Sequence, residues 1–313
     1  MARVVGGPAG VSEAARLLAQ GSLVALPTET VYGLAARALD PQACAAIFEV
    51  KERPLTDPLI VHLPDLSWLA LITEAGSLAT RLAETFWPGP LTLVLPKKNN
   101  VPDIVTAGES TVAVRISSGP LMQAVLKELG EPVAAPSANR FGRISPTEAA
   151  HVVEELGDRI PLILNGGPCL HGIESTILLV REETIRILRQ GPVTRQHLEP
   201  FASITEDGPA VAAPGTMKSH YAPRTPMALA SDFPAIPSGP RCGLLAWASP
   251  GDGFASVERL SATLNLREAA ATLYAAMRRL DALKLDAIVA ELPPPEGLGL
   301  AIRERLIKAC AAT

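Results

Sequence analysis

Short apolar runs alternate with helical periods over the first two-thirds of the chain. Val11–Gln20 has helical spacing and stops at Gly21, whereas Ser22–Leu26 has the composition of a strand. Asp40 followed by Pro41 predicts a helix that runs through Val50. Further strands are expected at Pro58–Leu63, Leu91–Leu95, Thr111–Ser117, Val133–Ala135, Leu162–Leu164, Ser175–Val180 and Thr184–Leu188. This alternation predicts an α/β fold.

One helix start is marked by its sequence. Ser145-Pro146-Thr147-Glu148 has the form of a capping box with proline at the first helical position. We therefore expect a helix that runs to Leu156, preceded by a loop over Ser137–Ser145.

The composition changes near residue 200. From Pro200 to Pro226 the chain is rich in Pro, Gly and Ala without a clear period, as expected of a linker. Beyond it a small strand–helix–strand–helix unit is expected at Arg241–Trp247, Leu266–Leu280, Asp286–Leu292 and Leu300–Ala311. The sequence thus predicts a first domain over 1–200, a linker over 201–225 and a second domain over 226–313.

Composition removes several classes of protein. The 313 residues are 48% hydrophobic and carry a formal charge of −4, which fits a well-packed globular protein and gives no global attraction to a polyanion. The apolar runs are too short to cross a bilayer, and the N-terminus does not resemble a secretory or transit signal, so a cytoplasmic protein is expected. The four scattered cysteines predict neither a disulfide framework nor a zinc site.

Cationic side chains follow the helix that begins at Asp40. Lys51 and Arg53 lie in a segment that Pro54 restrains, so both can point at one phosphate group. K-x-R is a common tripeptide, and alone it favours an ordinary solvated pair. We expect both cations to be exposed in the free protein.

Hydroxyl and amide groups are gathered in the loop before the expected capping box. Ser137, Asn139 and Ser145 can offer donors to an anion near a helix N-terminus. Turn formation and capping explain the same residues equally well. The sequence holds neither a P-loop nor a G-x-G-x-x-G motif, so any nucleotide must bind in another mode.

Two strand residues also carry candidate chemistry. Period two places His62 on the face of Ile60, and Arg115 on the face of Thr111 and Ala113. A histidine on a strand is more often a half-buried, hydrogen-bonded residue than a ligand. Arg115 needs an anionic partner, either a substrate carboxylate or a protein Asp or Glu.

Nine segments, in order, carry a resemblance to a known family. They are PTETVYGL at Pro27–Leu34, KERPLTDPLIVH at Lys51–His62, WPGPLTLVL at Trp87–Leu95, TVAVR at Thr111–Arg115, AAPSAN at Ala134–Asn139, SPT at Ser145–Thr147, GIESTI at Gly172–Ile177, LRQGP at Leu188–Pro192 and HYAP at His220–Pro223. Together they resemble the YrdC-type L-threonylcarbamoyladenylate synthases in their long, two-domain form. The resemblance spans nearly the whole chain.

The resemblance implies a fold and an activity. The fold is a twisted mixed-sheet YrdC-like catalytic domain with a basic cavity, joined to a small Rossmann-like α/β domain. The activity is the condensation of L-threonine, bicarbonate and ATP into threonylcarbamoyl-adenylate, the intermediate for modifying an adenosine in tRNA. The family implies Mg²⁺ held mainly by the ATP phosphates, hand-off of the product to a downstream tRNA transferase, and no stable binding of tRNA.

The resemblance also assigns residues. Catalysis falls to Lys51 and Arg53, and the ATP contacts are Lys51, Arg53, Asp57, Thr111, Ser137, Asn139, Ser145 and Arg189. The threonine pocket is Thr30, His62, Arg115, Ala135 and Ser175. The linker residues Met217, Lys218, His220 and Tyr221 form a lid. Asp57 stands where relatives commonly have Asn, and a carboxylate beside a triphosphate repels it unless it faces Mg²⁺ or a sugar hydroxyl.

Two rival functions stay open on the sequence. One is a carbamoyltransferase on the same fold, although those chains carry extra catalytic or zinc-finger domains. The other is a non-enzymatic RNA-binding module, which the acidic overall charge does not favour.

Overall fold

The computed structural model describes residues 1–206, 211, 213–215, 220–233 and 239–311. The helices are α1 Gly7–Ala19, α2 Pro41–Lys51, α3 Leu69–Ile72, α4 Ser77–Phe86, α5 Asp103–Thr106, α6 Pro120–Leu129, α7 Ala149–Leu156, α8 Arg195–Leu198, α9 Leu266–Ala282 and α10 Leu298–Cys310. The strands are β1 Arg3–Val5, β2 Val24–Leu26, β3 Gly33–Arg37, β4 Ile60–His62, β5 Leu91–Pro96, β6 Thr111–Arg115, β7 Val133–Ala134, β8 Leu162–Leu164, β9 Thr176–Val180, β10 Thr184–Arg189, β11 Ser203–Ile204, β12 Met227–Leu229, β13 Gly239–Ala246, β14 Phe254–Arg259 and β15 Ala287–Ala290.

The strands form two sheets. The first is mixed and has 11 strands in the order β1-β8-β2-β3-β7-β4-β6-β5-β9-β10-β11. The second has four strands in the order β12-β15-β13-β14, and all its pairs are parallel. A parallel sheet needs covered faces, and the buried stripe of α9 packs with α10 to supply that cover on one side.

Local sequence explains how α2 ends at the site. Asp40 caps the helix by accepting hydrogen bonds from the backbone N–H groups of Gln42 and Ala43, and Pro41 occupies the first turn. Glu52 terminates it in the left-handed region with φ of 55°. The helix therefore places Lys51 in its last turn, where the dipole favours a cation.

The two sheets share part of their cores. Val31, Ile144 and Ile173 come from the first-sheet region, yet they pack in one buried cluster with Tyr221 and the inner residues of α9 and α10. Gly172 lies against the backbone of α9, with an ideal Cβ position only 2.5 Å from the Cα atom of Ala271. The second-sheet region is therefore docked closely on the first.

The expected helix–strand order is present, with local differences. The sequence missed β1, β3, β11, β12 and β14. β1 and β12 pair with strands distant in the chain, whereas β3, β11 and β14 pair with the strand that precedes them. The alternation predicted for β4 and β6 is confirmed, because Leu59, Val61 and Leu63 lie in one core cluster and Ile60 and Ala113 in another.

The predicted capping box is wrong. The helix α7 begins at Ala149, and its N-cap residue Glu148 makes no side-chain capping bond. The Ser145 hydroxyl donates instead to Glu174 at 2.6 Å. A buried carboxylate is a stronger acceptor than a backbone group, and it takes the hydroxyl that the local pattern assigned to the helix.

Helices long and apolar enough to span a membrane are absent from the described part of the chain. Cys44 and Cys169 are buried thiols, and Cys242 and Cys310 are half-buried and unbridged.

Candidate active site

A small cavity lies between residues of the first-sheet region and described residues of the 201–225 segment. Its volume is about 50 Å³, enough for only a few water molecules. The lining residues are Thr28, Thr30, Val31, Gly33, Arg53, Ile60, His62, Arg115, Ala135, Pro136, Ser137, Glu174, Ser175, Arg189, Pro214, Gly215, His220 and Tyr221. Three of these are arginines, and Glu174 is the acidic residue among them.

One wall is built around Arg115 at the end of β6. Its guanidinium forms an ion pair with Glu29 at 2.6 Å and donates to the Thr30 hydroxyl at 3.1 Å. Burial opposes ionisation of Glu29, but the Arg115 charge and a hydrogen bond from Ser117 outweigh it and lower the pKa of Glu29 to about 2. The counter-charge of Arg115 is therefore a protein carboxylate, that of Glu29.

His62 lies beside this pair and is only 3% exposed. Burial and the nearby Arg115 charge lower the pKa of His62 to about 3, so the imidazole is neutral at pH 7. Neutral imidazole offers one donor and one acceptor. It can therefore bind a hydroxyl or an amine without adding charge.

Lys51 and Arg53 are buried, with 1% and 8% exposure, and the expectation that they are exposed is wrong. The Lys51 ammonium donates to the backbone carbonyls of Ser137 and Asn139, each at 2.5 Å. Burial, followed by the neighbouring Arg53 charge, lowers the pKa of Lys51 well below its usual value. Lys51 thus ties the end of α2 to the Ser137–Asn139 loop.

Arg53 forms an ion pair with Asp57 at 2.9 Å and donates to the carbonyls of Asp57 and Pro58. Asp57 is 4% exposed and is not among the cavity-lining residues. The carboxylate that appeared out of place beside a phosphate site is therefore neutralised by its own arginine.

Another buried arginine, Arg189, lies at the end of β10. Arg189 donates to the carbonyl and hydroxyl oxygens of Ser175, both at 3.0 Å, and to the Pro214 carbonyl at 3.1 Å. The Ser175 hydroxyl also bonds Thr92 at 2.8 Å. Arg189 thus connects the start of β9 with the linker.

Four described residues of the segment predicted as a linker, Pro214, Gly215, His220 and Tyr221, line the cavity. His220 and Tyr221 are 5% and 1% exposed, and their rings lie 4.2 Å apart. Burial and the surrounding Arg53 and Lys51 charges lower the pKa of His220 to about 3, although Glu174 opposes them. Met217 and Lys218 lie outside the described residues.

The structure brings together most of the predicted site. Among the assigned residues, Thr30, Arg53, His62, Arg115, Ala135, Ser137, Ser175, Arg189, His220 and Tyr221 line the cavity. Lys51, Asn139 and Ser145 are buried just behind it through the bonds described above. Thr111 lies at the opposite end of β6 from Arg115, half-buried and away from the cavity.

Several site residues were missed. Glu29 adjoins Thr30, and the need of Arg115 for a counter-charge was the signal that could have found it. Tyr274 and Arg305 contact Glu174 from α9 and α10, and both are fully buried. No local motif marks them, because their importance comes from domain docking.

The carboxylates near the cavity do not fit a protein metal site. Glu29, Asp57 and Glu174 are each committed to an arginine. Within the described residues there is no group of three or more His, Cys, Asp or Glu placed to hold a metal ion.

The fold and the cavity define an α/β protein of two sheets with a small, arginine-lined cavity. A family model described as telomere recombination, covering Sua5, YciO and YrdC proteins, matches residues 16–191. A second model, described as the threonylcarbamoyl-AMP synthase C-terminal domain, matches residues 182–311. The chain belongs to the Sua5/YciO/YrdC family, and the resemblance seen in the sequence is confirmed.

Relatives of nearly the same length support this placement. The chain is 39% identical to a threonylcarbamoyl-AMP synthase of Bacillus subtilis, with 96% of this chain and 92% of the relative covered. It is 37% identical to the synthase of Pyrococcus abyssi, with 95% and 92% covered. The crystal structure of P. abyssi Sua5 complexed with L-threonine superposes with a TM-score of 0.88 at 34% identity, covering 99% of this chain and 97% of that one. The predicted mixed α/β fold is thereby confirmed.

Proposed function

We propose that this protein is a threonylcarbamoyl-AMP synthase, which condenses L-threonine, bicarbonate and ATP into threonylcarbamoyl-adenylate and pyrophosphate. The relatives that bear this name match both of its domains. The observation that carries the proposal is the convergence of Arg53 and Arg189 on one buried, hydroxyl-lined cavity that Arg115 also lines. Charge that develops on a leaving pyrophosphate needs such cations.

The reaction class is nucleotidyl transfer. The threonine amine first forms a carbamate, either with bicarbonate and loss of water or with CO₂ and loss of a proton. A carbamate oxygen then attacks the α-phosphorus of ATP, and the bond to pyrophosphate breaks. Mass spectrometry of the products from ATP, bicarbonate and threonine tests this directly. Failure to form threonylcarbamoyl-adenylate under conditions where the chain is folded would remove the proposal.

The rival functions fit less well. The second family model, described as the threonylcarbamoyl-AMP synthase C-terminal domain, covers residues 182–311 and favours the synthase over a carbamoyltransferase. A cavity of about 50 Å³ framed by buried arginines offers no open track for RNA. Titration of RNA binding against salt separates the RNA-binding alternative, because phosphate-driven binding weakens steeply with ionic strength.

The site residues divide between the two substrates, ATP and threonine. We assign ATP to Lys51, Arg53, Ser137, Asn139, Ser145 and Arg189, and threonine to Thr30, His62, Arg115, Ala135 and Ser175. Thr111 and Asp57 are the weakest ATP assignments, because Thr111 lies at the opposite end of β6 from Arg115 and the Asp57 carboxylate is paired with Arg53. Asp57 acts through Arg53, whose guanidinium it orients.

Substitution tests the ATP side. Arg53→Ala should lower product formation by about 10- to 100-fold, because a charge-assisted phosphate contact contributes roughly 1.5–3 kcal/mol. Since Arg53 and Lys51 are buried and bonded, both alanine variants should also lower the melting temperature. Rates per folded molecule decide the assignment, and near-wild-type rates in both variants would remove these residues from the site.

Magnesium enters with the nucleotide in this proposal. The carboxylates around the cavity are already paired with arginines, so the triphosphate oxygens supply most of the ligands. Bound Mg²⁺ would offset phosphate charge while this chain's cations hold the phosphates in place.

The linker acts as a lid. His220 and Tyr221 are buried in the cavity, Lys308 donates to the Gly215 carbonyl at 2.6 Å, and a volume of about 50 Å³ is far too small for ATP. The linker must therefore move to admit substrate, and closing again excludes water from a labile carbamate.

Limited proteolysis tests the lid. Cleavage between Pro200 and Arg224 should be fast in the free protein and slow with threonine, an ATP analogue and Mg²⁺. A chain ending near Pro200 should lose most activity. Protection that ligands leave unchanged, together with full activity of the shortened chain, would contradict the lid.

The remaining proposals concern the domain boundaries, the location of the protein in the cell and the fate of its product. We propose a catalytic domain over 1–200, a lid over 201–225 and a docked second domain over 226–313. Residence in the cytoplasm and hand-off of the product to a tRNA transferase, without stable tRNA binding, stay predictions. Fractionation and a coupled tRNA-modification assay test them.

A further inference from the structure

One buried carboxylate joins the two domains at the cavity. Glu174 lies just before β9, is 6% exposed and lines the cavity beside Ser175. It accepts hydrogen bonds from the Ser145 hydroxyl at 2.6 Å and from the Tyr274 hydroxyl at 2.9 Å. Arg305 completes the set with an Nε contact at 3.1 Å.

The two largest partners of Glu174 come from outside the catalytic domain. Tyr274 belongs to α9 and Arg305 to α10, and each is 0% exposed. The Arg305 guanidinium also lies 5.4 Å from the centre of the Tyr221 ring, which in turn stacks on Tyr274 at 5.7 Å. The lid tyrosine therefore rests on the same two residues that hold Glu174.

Other residues of α10 also contact the catalytic domain and the lid. Glu304 accepts a hydrogen bond from the Gln190 backbone N–H at 3.1 Å, next to Arg189. Lys308 donates to the Gly215 carbonyl, and its own carbonyl accepts from the His220 N–H at 3.3 Å. A single helix thus contacts the Glu174 carboxylate, the residue that follows β10, and Gly215 and His220 of the lid.

We propose that Arg305 and Tyr274 are positioning residues of the active site, through which the second domain fixes the cavity wall by holding Glu174. Ser145 and Ser175 then take up their positions as neighbours of a carboxylate that cannot turn. The inference rests on the proposed function, and it gives the second domain a part in the site rather than a separate binding role. Neither residue touches the reacting atoms.

Electrostatics support the arrangement. Burial alone would raise the pKa of Glu174, but the charges of Arg305 and Arg189 and the bond from Ser145 lower it to about 2. The titratable and charged groups that face Glu174 are Arg305, Arg189, Tyr274, Tyr221 and His220. Without Arg305 the desolvation cost prevails, and Glu174 takes up a proton at a higher pH.

The test is a double-mutant cycle on the full chain. Arg305→Met should lower kcat/KM for threonine by at least about 30-fold, because it leaves a buried carboxylate without its main counter-charge. Its activity should also fall as pH rises and Glu174 loses its proton, because the uncompensated buried charge then forms. Adding Glu174→Gln to this variant removes the charge that needs compensation. The double variant should recover kcat/KM by at least about tenfold and lose the new pH dependence.

Two further variants separate positioning from folding. Arg278 also crosses the domain boundary, where it donates to the Ile144 carbonyl and to Glu155. Arg278→Met should lower stability and leave the pH dependence of activity unchanged. Tyr274→Phe keeps the ring that packs on Tyr221, so it should fold even if Arg305→Met does not, with kcat/KM lower by about 3- to 10-fold.

The outcomes are distinct. Equal losses in Arg305→Met and Arg278→Met, no rescue by Glu174→Gln and wild-type kinetics in Tyr274→Phe would overturn the inference. A wild-type chain that forms no threonylcarbamoyl-adenylate would instead contradict the proposed function. In that case calorimetric titration of L-threonine into the same variants decides the positioning role, with the same ranking expected for its affinity.

Discussion

Two buried arginine–glutamate pairs frame the cavity, and they differ in where their members come from. Arg115 and Glu29 both belong to the first domain and lie 2.6 Å apart. Arg305 and Glu174 lie 3.1 Å apart across the domain boundary. In both pairs the cation overcomes the burial penalty and lowers the carboxylate pKa to about 2. The chemistry is the same, but only the second pair depends on docking.

This difference separates two kinds of active-site wall. Arg115 ends a strand that is hydrogen-bonded on both edges, to β4 and β5, so its position follows from the sheet. Glu174 lies in a loop and is held chiefly by α9 and α10. The first wall is therefore expected to persist when the domains separate, whereas the second should not.

The largest expected effect is loss of the first pair. Arg115→Met leaves Glu29 buried without its partner, which typically costs about 3–5 kcal/mol. The folding equilibrium constant and the rate of threonine turnover should therefore each fall by about two orders of magnitude or more. Urea unfolding and steady-state kinetics measure the two losses. The double variant with Glu29→Gln should regain stability but little activity, and full recovery of activity would mean that Arg115 only balances Glu29.

Acid tests whether the two carboxylates behave alike. Each has a folded pKa near 2 against an ordinary 4.5, so each stabilises the protein above pH 4.5, by about 3 kcal/mol, and this is lost as pH falls toward 2. The stability gap between wild type and Glu29→Gln should therefore narrow as pH falls. Urea unfolding from pH 7 to pH 3 measures it, and Glu174→Gln should behave in the same way. Gaps that stay constant with pH would contradict both shifts.

The sequence predicted the first wall better than the second. Period two along β4 and β6 placed His62 and Arg115 on the correct faces, because strand geometry is local. The exposure of Lys51 and the capping role of Ser145 were wrong, because each found a buried partner distant in the chain. Arg305 could not have been found from a pattern, since nothing in an amphipathic helix distinguishes a buried arginine before its partner domain is known.

Docking itself can be broken at one glycine. At Gly172, with φ of +67°, an added Cβ would lie 2.5 Å from backbone atoms of Ala271 in α9. Gly130 is the matched control, with φ of +75° and no atom within 4 Å of an added Cβ. Gly130→Ala should cost about 1 kcal/mol from backbone strain alone. Gly172→Ala should cost more and also lower kcat/KM, because α9 carries Tyr274.

Thermal melts and kinetics of the two alanine variants decide this point. Equal melting temperatures and equal kinetics would show that α9 can shift without disturbing Glu174. The two walls would then be equally independent of docking.

The smallest expected effect is the choice between threonine and serine, which concerns the first wall alone. Val31, Ile60 and Ala135 supply apolar surface to the cavity, and all three come from the first domain. One methyl group in a fitted pocket contributes roughly 1–3 kcal/mol, so threonine should be preferred by about one to two orders of magnitude at most. Competition between the two amino acids measures the ratio. Ile60→Ala should reduce it, while Arg305→Met should lower both rates and leave the ratio unchanged, because none of the described cavity-lining residues comes from the second domain. Serine used as well as threonine would show that no fitted methyl pocket exists, and a ratio altered by Arg305→Met would show that the two walls are coupled.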